Sequence, residues 1–83
     1  MFKIEYHRYG TLMQSFTVPE EDGKPSRGLI KLSMDGRLRQ ALDRDQWGKH
    51  PLMCDVLIKN LISAKGKSLG TLFATKTNEP DNS

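Results

Sequence analysis

Cysteine is nearly absent from this chain: Cys54 is alone among 83 residues. A single thiol excludes an intramolecular disulfide and fits a reducing compartment, so a cytoplasmic protein is expected. Histidine is scarce too, with only His7 and His50. His50 and Cys54 stand four positions apart, a spacing that puts two metal ligands on one helix face. A structural zinc site wants four ligands, and only His7 and carboxylates remain to complete the set. No metal and no cofactor are expected.

Long hydrophobic runs are missing as well. "PLMCDVLIKNLI" is the longest apolar-rich stretch, and Asp55, Lys59 and Asn60 interrupt it. It is shorter than the roughly 20 residues that a membrane-spanning helix needs. The opening "MFKIEYHRYG" intersperses its charges and holds no run of signal-peptide length. Neither sign of charge dominates: 13 Lys and Arg against 10 Asp and Glu leave a net +3. That balance permits nucleic acid or an acidic protein as partner and demands neither. Catalytic patterns are lacking. "AKGKSLG" contains Gly-Lys-Ser, but Leu61 stands where a phosphate-binding loop needs its first glycine. The carboxylates of "PEEDG" fall in a loop, and nothing in the sequence suggests a cleft to hold them for acid–base work. No enzyme activity is expected.

What is present fits one small α+β domain over residues 1–78, with 79–83 as a disordered tail. "FKIEYHR" alternates, with Phe2, Ile4 and Tyr6 on one face and Lys3, Glu5 and His7 on the other. "YGT" supplies a turn, and Leu12, Phe16 and Val18 resume the two-residue spacing, which predicts an N-terminal β-hairpin. "PEEDGKPSRG" reads as a loop from its prolines and glycines. "LIKLSMDGRLRQAL" then changes period. Leu29–Met34 alternates like a third strand, with Ile30, Leu32 and Met34 inward and Leu29, Lys31 and Ser33 outward. From about Asp35, an N-cap residue, to Gln46, the stripe Leu38, Ala41, Leu42 predicts a helix. Trp47 lies half a turn off that stripe, so either the helix ends before it or it anchors something else.

"HPLMCDVLIKNLISAKG" predicts a second helix from about Pro51 to Ala64, with Pro51 in its first turn. Met53, Val56, Leu57, Leu61 and Ala64 form its stripe, and Leu52, Ile58 and Ile62 widen it. A helix apolar over so much of its circumference is expected to be covered on two sides. Met53, Val56, Leu57, Ile58 and Leu61 are therefore the expected core of a homodimer. "TLFATKT" reads as a possible short last strand.

The order strand, helix, helix over residues 29–64 resembles the ribbon–helix–helix family of dimeric DNA-binding proteins. The resemblance implies that strands of two chains pair into a ribbon that enters the major groove. It implies that Leu29, Lys31 and Ser33, with Arg27 before them, face the groove. It also implies that the start of the second helix, with Lys49 and His50, meets phosphate. On that reading the protein is a transcriptional repressor or DNA accessory factor. The alternative is a small protein-binding inhibitor or adaptor, of the kind phages and plasmids encode, covering a site on a larger host protein. Tyr6, Tyr9, Arg37, Arg39, Arg44 and Trp47 would then be its anchors, since aromatic residues and arginine dominate binding energetics.

Overall fold

The computed structural model describes residues 1–30, 36–44 and 46–77. The alternating N-terminal segments form the expected hairpin, β1 (Phe2–Arg8) and β2 (Thr11–Val18). Tyr9 and Gly10 make its turn, both with positive φ. Two short strands follow, β3 (Glu20–Glu21) and β4 (Lys24–Pro25), then a 3₁₀ turn at Arg27–Leu29. Helix α1 covers Gly36–Arg44, and β5 (Gly48–Lys49), β6 (Val56–Ile62) and β7 (Ser68–Lys76) follow it.

The main sheet has five strands in the order β2-β1-β7-β6-β5, and every neighbouring pair is antiparallel. Strand β7 is therefore central, inserted between β1 and β6, rather than a short addition at the edge. Its pairing with β1 brings the two ends of the described chain together, and Thr77 N–H donates to the Met1 carbonyl at 3.0 Å.

This architecture overturns the strand–helix–helix expectation. The segment read as a second helix from Pro51 to Ala64 is a loop followed by β6. Leu29 belongs to the 3₁₀ turn, not to a strand. Lys31, Leu32, Ser33, Met34 and Asp35 lie outside the described residues, as does the tail 79–83. The described residues form an antiparallel β-sheet with one short α-helix on a face, not a strand leading into a pair of helices.

The physical reason lies in β6. Its register with β7 pairs Leu57 with Ala74, Lys59 with Leu72 and Leu61 with Gly70. The face toward α1 thus reads Leu57, Lys59, Leu61, with a lysine in the middle. The opposite face reads Val56, Ile58, Asn60, Ile62. Apolar residues on both faces, and a charge on the buried one, disguise the two-residue period. A short apolar run of this kind fits either secondary structure by spacing alone, and its β-branched residues suit a strand.

The core lies between α1 and one face of the sheet. Phe2, Ile4 and Tyr6 of β1, Val18 of β2, Leu61 of β6 and Leu72 and Ala74 of β7 are buried there with Leu38, Ala41 and Leu42 of α1. The helical stripe read from the sequence is the stripe that packs. Ile30 and Leu69 close the cluster, and Phe16, Trp47 and Leu57 pack partly buried against it. A bulge where Leu61 and Ile62 oppose Gly70 and Ser68 leaves Leu69 without a partner on β6 and turns it inward.

Candidate binding face of the sheet

The helix covers one face of the sheet. On the other face, the registers place Lys3, Glu5 and His7 of β1 beside Thr71, Phe73 and Thr75 of β7, and these beside Val56, Ile58 and Asn60 of β6. Phe73 stands at the centre, opposite Glu5 on one side and Ile58 on the other. The His7 ring meets Phe73 edge-on, with centroids 5.0 Å apart and planes at 88°. This is the arrangement that a ring's negative face and positive edge favour. His7 Nε2 lies 3.8 Å from the Glu5 carboxylate. On the far side His50 tilts toward Phe73 at 6.4 Å. Two imidazoles thus flank one phenyl ring on a half-exposed surface.

His50 also builds the loop beside this face. Its Nδ1 accepts from the backbone N–H of Leu52 at 3.0 Å and of Met53 at 3.2 Å. The ring nitrogen does here what a capping carboxylate or amide does at a turn. His50 N–H donates to the Val56 carbonyl, and Val56 N–H to the Met53 carbonyl, which closes the loop. The result presents Leu52 at 87% exposure and Met53 at 56%. Pro51 and Cys54 beside them are exposed as well. Large apolar side chains held out by a hydrogen-bonded loop are an ordered surface feature, and adjacent ones mark interaction sites more often than isolated ones do.

The residues assigned to DNA contact are not brought together. Arg27 lines a groove on the α1 side with Leu42, Trp47 and Lys59. His50 reaches Phe73 on the other side of the sheet. Lys49 lies in the edge strand β5, Leu29 is in the 3₁₀ turn, and Lys31 and Ser33 fall outside the described residues. There is no helix N-terminus near Leu52 and Met53 to receive phosphate, because that segment is a loop.

The protein-binding set is also dispersed. Tyr6 is buried and its hydroxyl donates to the Leu69 carbonyl at 2.5 Å, so it is a core residue. Tyr9 is 88% exposed at the hairpin tip, with the Arg8 guanidinium 5.3 Å above its ring. Tyr9 foremost, and Tyr6 beside it, raise the Arg8 pKa above the ordinary arginine value. Arg37 and Arg39 are exposed on α1, and the Arg44 side chain lies outside the described part. Trp47 lies beyond the end of α1, packs against the core and receives the Lys59 ammonium 5.1 Å from its ring.

Of the expected dimer core, Val56 and Leu61 are buried within the chain and Leu57 packs on the core cluster. Ile58 and Met53 belong to the open face and its loop. Phe73 has no place among the residues expected from the sequence, and Leu52, expected to widen the apolar surface of a second helix, stands instead on an exposed loop. The alternation of "TLFATKT" carried the signal for Phe73, since it puts Phe73 out of step with Leu72 and Ala74.

Among the described residues, no three His, Cys, Asp or Glu side chains converge as a metal site. No helix among them is long and apolar enough to cross a membrane. No family model, curated protein or solved structure matches this chain.

Proposed function

We propose that the protein is a small binding module that docks a larger protein through the open sheet face and the adjoining loop. Phe73, Ile58 and the flanking His7 and His50 form its centre, and Leu52 and Met53 are its protruding anchors. The observation that carries this reading is the exposure of Leu52 and Met53 on a loop fixed by His50, next to a sheet face that α1 leaves uncovered. Aromatic and apolar anchors inside a polar surround are what protein interfaces concentrate at their centres. The surround here is Lys3, Glu5, Asn60, Thr71 and Thr75, of mixed sign. Such a surface suits a protein better than a phosphate backbone, which favours clustered positive charge.

The test is affinity capture from the source cells with the wild-type chain and with Leu52→Asp and Met53→Asp variants. A protein retained in stoichiometric amount after nuclease treatment, and lost with either variant, is the expected result. Both substitutions fall at exposed loop positions, so the fold is expected to persist. Saturable binding to duplex DNA that weakens steeply with salt, unaffected by the two variants, would overturn the reading.

A further inference from the structure

We propose that β2 is the pairing edge of a homodimer, joining two copies into one continuous antiparallel sheet about a two-fold axis near Ser15–Thr17. The two edges of the sheet differ in kind. On the β5 side the edge is broken: β5 covers only Leu57 and Ile58 of β6 and carries Lys49, a charge of the kind by which proteins blunt an exposed strand. The β2 edge is eight residues long and contains no charged residue and no proline. From Tyr9 to Pro19 the chain has no charge at all, its longest such stretch. Among the described residues, no strand lies beyond β2.

A second copy is the occupant that this edge fits. Antiparallel pairing about a two-fold axis at Phe16 sets Phe16 against its own copy and Ser15 against Thr17 of the other, so a charge placed close to the axis would lie near its own counterpart. The charge-free strand removes that penalty. Along it runs an open groove lined by Ser15, Phe16, Thr17, Pro19 and Leu29. Leu29 is 48% exposed and Phe16 half-buried, so pairing would bring the partner's Phe16 and Leu29 against the same residues here.

The ends of the sheet support the same orientation. Arg8 lies at the β1–β2 turn, and Lys65 and Lys67 lie in the β6–β7 turn at the same end. The Glu20–Asp22 turn lies at the opposite end beyond Val18, with Lys3, Lys24 and Lys76 around it, and Lys76 bridges Glu20 at 3.2 Å. Two-fold pairing along β2 sets the basic turns of each copy, with Arg8, Lys65 and Lys67, toward the Glu20–Asp22 turn of the other. Parallel stacking of like ends would not.

The test begins with the mass of the full chain by light scattering. The expected value is twice 9.4 kDa, falling toward the monomer on dilution. Ser15→Lys and Ser15→Glu are each expected to be monomeric, and an equimolar mixture is expected to recover the dimer. The same pair of charges at Thr17 reads the same edge if a Ser15 variant loses its far-UV circular dichroism. A wild-type chain that stays monomeric up to its solubility limit would overturn the proposal. So would dimeric single variants, or folded variants whose mixture stays monomeric. None of these readouts depends on the open-face partner, so the two proposals stand or fall separately.

Discussion

The Lys59 ammonium reaches up from the centre of β6 and donates to the Leu42 carbonyl at 3.1 Å, in the last turn of α1. Lys59 is only 4% exposed. A helix ends with carbonyls that lack partners within the helix, and a cation there also meets the negative end of its dipole. The same ammonium lies over the Trp47 ring. One side chain therefore ties the helix end and the segment after it to the sheet.

Replacing Lys59 should loosen the helix before it unfolds the sheet. Lys59→Met keeps the volume and relieves the cost of burying a charge, but it leaves the Leu42 carbonyl without this donor. A loss of about 1–2 kcal/mol is expected, within the range for a bond to a charged group. Lys59→Ala adds a cavity and should cost about 1–2 kcal/mol more. Urea unfolding followed by the emission of Trp47, the only tryptophan, measures both. Equal stability of Lys59→Met and wild type would mean that the tie contributes nothing net.

Gly70 should tolerate no side chain. Its φ is +124°, and an added Cβ would run into the Tyr6 ring and lie 2.6 Å from the His7 carbonyl oxygen. Tyr6 covers this glycine and bonds to Leu69 beside it. Gly70→Ala should cost about 2–4 kcal/mol, combining left-handed strain with displaced packing. Gly66→Ala, at φ +85° with nothing within 4 Å of the added atom, should cost only about 1–2 kcal/mol. Thermal denaturation of the two variants side by side checks the difference. Similar melting temperatures would show that the approach of Tyr6 is not tight.

The 51–54 loop should depend on an acceptor at position 50 rather than on the imidazole itself. His50→Ala removes the partner of two backbone N–H groups and should cost about 1 kcal/mol, as loss of a cap does. His50→Asn places an oxygen at a similar reach and should recover most of it. Amide exchange at Leu52 and Met53 reads the loop directly. Fast exchange in the alanine variant and slow exchange in the asparagine variant is the expected pattern; slow exchange in both would remove His50 as the organiser.

The hairpin and α1 were legible because one strong local signal served each. In the hairpin, Phe2, Ile4 and Tyr6 alternate with Lys3, Glu5 and His7, and a Tyr-Gly turn follows. In α1, Leu38, Ala41 and Leu42 repeat at helical spacing and face the sheet. The disjunction at Trp47 resolves as the helix ending at Arg44 and Trp47 packing beyond it. The open face was half legible: the outward position of His7 follows from alternation, but its neighbour Phe73 comes from 66 residues further along the chain.

The amino-acid sequence by itself determined the local pieces: a two-residue period at each end, a helical stripe between them, and no charge from Tyr9 to Pro19. Only the tertiary structure decided the state of Val56–Ile62. Those residues carry apolar side chains at both spacings, so neither period wins locally. Pairing with β7 settles it, because a strand there satisfies its backbone groups against a neighbour, buries Leu61 and packs Leu57 against the core, and gives the Lys59 ammonium a helix end to meet. That neighbour, and that helix end, lie elsewhere in the chain, where no local pattern reaches.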